Sequence, residues 1–442
     1  MLTIRRVMIL LAGLFLLVPL RARLEAQERL STVLTRWADA VVLTGHGLSS
    51  ILGARPETFA VLAVADGKLV PIPFQIDEKT RDGRWVVPTG PAACEDEDPT
   101  FDANDELVFM AADAGPRWIG AFPDAPRIAE VTATDPVNGA RGYAYVLAGL
   151  ENPPRSDADY VDFDEARMEV RARDYVMAYD PKAPISIGKL LARPRAGGSG
   201  LNIADRLKIR FHAKVLGLFP IDRNEEDFSV EEVGLKDGPV RVIRETVNWT
   251  RLFWRIPTPK VEVATLFYGT KMIFPIAFDI PFDVNAFLAN PSLRLTTDST
   301  CKRPGRTYYN SRNPRGVAVD GKTSPDERAL DTRQYDWALV AGTLPAEPGG
   351  WLSRVVLNRI DFRTGYRLFY LDDLSVPDPP ENEPGSCANI GYEFEGIPYV
   401  RKGIVRVTTY MYPMGGIYQP GDERTLLDDL DRPLEINSRP IR

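Results

Sequence analysis

Apolar residues along this chain recur mainly at alternate positions, in short runs separated by Gly, Pro, Asp and Asn, the pattern of half-buried strands. The clearest case is Thr58–Ala65 followed by Asp66-Gly67 and Lys68–Ile76, two β-prone runs joined by a dipeptide suited to a tight hairpin turn. Glu106–Ala111, Ile128–Ala133 and Gly142–Leu147 predict further strands. Near the start, Leu30, Val33, Leu34, Trp37 and Val41 recur at helical spacing over Glu28–Val41, although Trp37–Leu43 reads equally well as a strand. A Pro-rich polar connector, Glu151–Asp157, marks a domain boundary near residue 150. Beyond it, strands are expected at Met168–Ala172, Tyr175–Tyr179, Leu207–Ala213, Val240–Val247, Val261–Tyr268, Trp337–Ala341, Val355–Ile360, Tyr366–Tyr370 and Ile404–Tyr412. So many strands with so little helical period predict a mainly β protein, with a large antiparallel β-sandwich over residues 151–442.

The first residues change the picture of where the chain works. Arg5 and Arg6 precede an apolar run, Val7–Leu20, which is too short to span a bilayer and is followed by a small-residue cut site after Ala26. Residues 1–26 therefore read as a signal peptide and residues 27–150 as the first folded domain, with no transmembrane span in the mature chain and a periplasmic or secreted location. The formal net charge of −7 becomes −10 once the four Arg and one Glu of the leader are removed. An acidic chain without a long basic run is no general nucleic-acid binder. Three cysteines in an oxidising compartment predict one disulfide and one thiol; Cys301 and Cys387, both in Pro/Gly-rich loops, are the preferred pair, leaving Cys94.

The densest polar signal is Pro73-Phe-Gln-Ile-Asp-Glu78, then Arg81-Asp-Gly-Arg84, then Phe101-Asp-Ala-Asn-Asp-Glu-Leu-Val-Phe-Met110. This stretch resembles the N-terminal β-domain motif of secreted exo-rhamnogalacturonan-lyase-like proteins and their relatives. The resemblance implies a small β-barrel-like domain ahead of a large supersandwich. The two halves of the motif are spaced more widely here by Cys94-Glu-Asp-Glu-Asp98, and no lyase catalytic residue carries over. Physically, Asp77, Asp82, Asp102, Asn104 and Asp105 put several oxygen donors on adjacent loops. They serve either a structural calcium ion, the only cofactor the sequence raises, or a set of turns whose carboxylates cap backbone N–H groups.

Three further features bear on function. Aromatics crowd Asn248–Trp254 and Phe267–Phe274, and Trp249 and Trp254 are candidates for stacking on a sugar face, against the alternative of core and cross-strand packing. Lys302–Arg315 is the most basic patch of an acidic chain. Its Arg303 and Arg312 are candidate ligand contacts, and Arg306, Tyr308 and Tyr309 are candidates to neutralise a uronate and move a proton; a surface loop of counter-charges is the plainer reading. The only imidazoles are His46 and His212, the latter expected as a structural strand residue, and no Gly-x-Ser-x-Gly elbow is present. The Pro-rich loop Asp378–Cys387 is expected to cross one edge of the sandwich. Together these predict an exported protein that binds a glycan or cell-envelope component. A lyase for acidic polysaccharide and a structural subunit of an envelope complex are the two alternatives.

Overall fold

The computed structural model describes residues 34–253, 256–280, 283, 286, 288–302, 305–333, 336–358, 366–395 and 403–441. The leader, Trp254 and Arg303 lie outside them, as does the first part of the expected helix over Glu28–Val41. From residue 34 that stretch holds no helix, and Ala40–Thr44 is a strand. Strands dominate throughout, all paired antiparallel, and the mainly β expectation stands.

The chain forms two compact units. One is built from the chain up to Trp85, from Asp96–Ala158 and from Arg424 onward; the other from Val86–Glu95 and Asp159–Glu423. In the first unit, Glu106–Met110 pairs between Ala40–Thr44 and Gln75–Asp77, and a five-stranded sheet contains Ala60–Ala65, Lys68–Pro71, Arg127–Thr134 and Arg141–Ala148. The hairpin turn is where the sequence puts it, with both Asp66 and Gly67 at positive φ. Val41, Leu107, Phe109, Phe59, Val61, Val131 and Val146 close the core between these sheets.

The last strand of that five-stranded sheet is Glu435–Pro440, lying along Arg127–Thr134 from Glu435 opposite Thr134 to Pro440 opposite Ala129. The second domain therefore does not run unbroken to residue 442. The strand was invisible in the sequence because Glu435-Ile-Asn-Ser-Arg-Pro440 has almost no apolar alternation; its backbone pairing, not side-chain burial, places it.

The second unit stacks a nine-stranded sheet against a five-stranded one, joined by a four-stranded sheet covering Val161–Ala192. The five-stranded sheet runs Phe219–Asn224, Ala204–Val215, Leu288–Ser299, Ser386–Glu395, Tyr366–Asp373 in space. Its inward residues Leu207, Leu293, Leu295, Ile390, Tyr392 and Phe394 meet Val242, Phe267, Val340, Val355, Val407 and Met411 of the larger sheet. Tyr392 ties the two layers by donating its hydroxyl to the carbonyl of Ser353 at 2.9 Å. Leu288–Ser299 escaped the sequence reading because Asn290-Pro291 looks like a turn. Asn290 instead adopts a positive φ inside the strand, beside a register shift against Ala204–Val215.

Cys301 and Cys387 are joined in a disulfide with Cα atoms 5.3 Å apart, and no helix among the described residues is long and apolar enough to cross a membrane. The link closes a loop with a sequence separation of 86. Replacing both cysteines by serine should cost about 2–4 kcal/mol, read as a lower denaturation midpoint that reductant no longer changes.

Candidate functional site

The strand Ala204–Val215 carries the site. Along it Arg206, Lys208, Arg210, His212 and Lys214 alternate with Leu207, Ile209, Phe211 and Ala213, so a pleated strand sends the basic set to one face and the apolar set to the core. The sequence reading took only the apolar half of this alternation. The basic half defines the outer, polar face of the five-stranded sheet.

Arg206 and Lys208 are buried, and each is matched by carboxylates. Arg206 pairs with Asp180 at 3.1 Å and with Glu225 and Glu226 at 2.8 Å. Lys208 lies 2.8 Å from Asp298 and 3.5 Å from Glu381. Arg210 sits directly opposite Arg294 on the neighbouring strand, a like-charge pair that would repel. Asp378 lies between them, accepting from Arg210 Nε at 2.9 Å and from Arg294 Nη2 at 2.6 Å. Burial works against ionisation of Asp378, yet Arg294 and Arg210 together hold it below the usual carboxylate range. The Asp378–Cys387 loop is thereby fastened across the sheet: Asn382 Nδ2 donates to the Asp205 carbonyl at 2.9 Å, and Glu383 accepts from Thr300 and the Cys301 N–H.

Where the loop ends, the same face opens into a groove of about 300 Å³ lined by Arg210, His212, Asp222, Arg223, Asn224, Ser292, Arg294, Pro379 and Glu393. Strand register sets its floor. One transverse row runs Asn224, Arg210, Arg294, Glu393, Arg367; the next runs Asp222, His212, Ser292. His212 Nδ1 lies 2.7 Å from Asp222 Oδ1, so the carboxylate orients the ring. Glu393 accepts from Arg367 at 2.8 Å, and the Arg294 guanidinium stacks 4.4 Å from the Phe369 ring centroid. The result is an array of donors and acceptors in which Asp378 holds Arg210 and Arg294, while the His212–Asp222 and Arg367–Glu393 pairs lie exposed beside them.

The residues singled out in the sequence fall elsewhere. Arg306, Tyr308 and Tyr309 lie on the strand Arg306–Asn310 of the nine-stranded sheet, not on a surface loop. Arg306 is buried and donates to the Ile203 carbonyl at 3.1 Å. Tyr308 is fully buried against Tyr370, ring centroids 4.4 Å apart, and burial pushes its phenol up to about 12. Tyr309 points to the opposite face and stacks on Tyr418 at 4.7 Å. Successive residues of one strand cannot share a site, and neither tyrosine stands ready to exchange a proton with a ligand. Arg312 is exposed in the turn that follows.

Trp249 is half-buried beneath Lys260, whose Nζ lies 4.7 Å from the ring centroid. Its strand, Arg241–Trp249, is six places from Arg306–Asn310 in the sheet order, a separation of about 29 Å at the usual strand spacing. The aromatic and basic patches do not converge.

The acidic loops act as turn caps. Asp105 accepts from the Lys79 N–H at 2.8 Å and the Asp102 N–H at 2.9 Å, and Asp102 accepts from the Asn104 N–H at 2.9 Å. Asp77 accepts from Gln75 at 2.6 Å. Asp82 is held low by hydrogen bonds from Thr80 and Arg84. Among the described residues no three His, Cys, Asp or Glu side chains gather in a way that could hold a metal. Several of the carboxylate oxygens that would bind calcium are engaged locally, while Asn104 Oδ1 is buried without a hydrogen-bond partner.

Two outcomes follow from the charge network. Asp298→Ala leaves Lys208 buried without its nearest carboxylate and should cost about 3–5 kcal/mol in denaturant unfolding, while a Lys208→Met/Asp298→Leu pair should recover most of it. Burial, with Asp298 nearby, raises Asp205 to about 6. A carboxyl raised on folding favours the native state fully below its ordinary pKa of about 3.9, and that contribution is lost as pH climbs through 6. Asp205→Asn should therefore flatten the fall in stability between about pH 4 and 7 and add about 2–3 kcal/mol above it, read from melting curves across pH.

No protein-family model matches the chain, and no curated protein does. Two solved structures resemble it in outline: an alpha-mannosidase from Enterococcus faecalis V583, at a TM-score of 0.43 and 11% identity over 92% of this chain, and a protein in the Glycosyl Hydrolase Family 38 from Enterococcus faecalis, at a TM-score of 0.45 and 10% identity over 92% of this chain. The chain spans under half the length of either, 45% and 46%.

Proposed function

We propose that this is an exported, periplasmic or secreted protein that binds a glycan of the cell envelope in the groove over the five-stranded sheet. The observation that carries the reading is the transverse array Asp222, His212, Ser292 beside Asn224, Arg210, Arg294, Glu393 in a groove of about 300 Å³. Polyhydroxylated ligands are held by planar, bidentate donors and acceptors that do not reorganise on binding. Arg210 and Arg294, held by Asp378, meet that need, and the exposed pairs His212–Asp222 and Arg367–Glu393 add further donors and acceptors. A groove of this volume matches the lower end of small-ligand sites. Export is supported by the leader-like first residues and by the Cys301–Cys387 link, since such links persist in oxidising compartments.

Binding fits the groove better than hydrolysis. Its two outer carboxylates, Asp222 and Glu393, stand on strands three places apart in the sheet, about 14 Å at the usual spacing. A glycosidase pair needs carboxyls within about 10 Å of each other. Asp378 and Glu225, which also reach Arg210, are committed to ion pairs with Arg210, Arg294 and Arg206.

The test is a glycan array followed by calorimetry on the strongest neutral and acidic oligosaccharides. Ser292→Trp fills the middle of the groove without touching any ion pair and should abolish binding with little change in melting temperature. Asp222→Asn should weaken it about tenfold, the loss of one charge-assisted hydrogen bond. Unaltered affinity in Ser292→Trp would remove the groove as the site.

A further inference from the structure

The strand that forms the groove continues past it into a hairpin that ends in apolar residues. Ala204–Val215 turns through Leu216-Gly217-Leu218 into Phe219–Asn224, with Val215 paired to Phe219. Leu216 is 65% exposed, Leu218 74% and Phe219 51%. These three side chains form one contiguous projecting tip, where hairpin turns ordinarily carry Asn, Asp or Gly.

The backbone makes the choice of leucine harder to explain from folding. Leu216 has φ 51° and Gly217 φ 72°. Two successive residues at positive φ call for Asn-Gly, and a leucine there pays a steric penalty that asparagine largely escapes. Leu216 gains no burial in return. It therefore costs the turn without adding to the core, and nothing within the fold accounts for it.

We propose that this tip inserts into the headgroup region of a phospholipid bilayer, with anionic lipid favoured. Three features select a lipid surface over a protein partner. The apolar residues lie at the end of a two-stranded hairpin, at its turn and the first residue of the returning strand. Its side chains are two leucines and a phenylalanine, without the Trp, Tyr or Arg anchors that dominate protein interfaces. The turn is closed by the Leu218 N–H donating to the Val215 carbonyl at 3.0 Å, and its other backbone groups can stay hydrated in the wet headgroup region at the depth proposed.

Lys214 is exposed immediately behind the tip, opposite Pro220. It is placed to meet lipid phosphates once the apolar residues are immersed. The proposal stands independently of what fills the groove.

A local probe tests it without interference from any other membrane anchor. In a Cys94→Ser chain, Pro220→Cys is labelled with nitrobenzoxadiazole and titrated with vesicles of phosphatidylethanolamine and phosphatidylglycerol at 3:1. Insertion predicts a blue-shifted, brighter emission. Leu216→Asn/Leu218→Ser should raise the lipid concentration for half-response about tenfold or more. Asparagine suits the turn, so the folded state survives, and an unchanged melting curve confirms it. Lys214→Glu should weaken the response on 3:1 vesicles and leave it unchanged on pure phosphatidylcholine. No shift on lipid, the same shift in the Leu216→Asn/Leu218→Ser variant, or a shift that appears without lipid as protein concentration rises would each overturn the proposal, the last by marking the tip as a self-association surface.

Discussion

The constraint on which the second unit depends is the burial of cations along one strand. Arg206 and Lys208 sit in the interior of a β protein, where an unpaired charge costs several kcal/mol. Each is tolerated because separate parts of the chain bring carboxylates to it: Asp180 from the four-stranded sheet, Glu225 and Glu226 from the turn after Phe219–Asn224, Asp298 from the adjacent strand, and Glu381 from the long loop. None of these groups is stable alone at that depth. Assembly of the strand, its turn and the loop is therefore one cooperative event, and the positions of Arg210 and Arg294 at the groove are a consequence of it.

That coupling sets the character of the polar face. A row of charged side chains on an open sheet would be solvated and mobile. Here the far end of the row is roofed by Asp378–Cys387 and locked by ion pairs, and the disulfide at Cys387 fixes the loop's end. The near end is left open, with Arg210 and Arg294 held by Asp378 and the His212–Asp222 pair exposed. The same strand, followed a few residues further, reaches the apolar hairpin tip. A single twelve-residue strand thus links a buried electrostatic anchor, a polar groove and a projecting apolar end.

Tyr308, Tyr309 and Arg306 show how a list of reactive residue types misleads when its geometry is unknown. In sequence they form a basic and phenolic patch; in the fold, alternation along Arg306–Asn310 splits them between two faces, and burial leaves Tyr308 with Tyr370 and Asn310 as neighbours in place of a ligand. The acidic loops make the same point in reverse. Asp102 and Asp105 cluster because turn backbones need acceptors, and that demand uses several of the oxygens a metal would have taken.

Local chemistry by itself determined the mainly β character, the Asp66-Gly67 hairpin, most strands rich in β-branched residues, the pairing of Cys301 with Cys387 and the leader-like start. Each of these follows from near-neighbour rules: period-two alternation, positive φ at a turn, or the residue types available to pair. Only the tertiary structure decided that Glu435–Pro440 returns to the first unit, that Leu288–Ser299 is a strand despite Asn290-Pro291, and that the basic alternation from Arg206 to Lys214 is half interior and half groove. Those outcomes depend on which distant carboxylates and edge strands arrive, and a pattern read along one strand does not contain its partners.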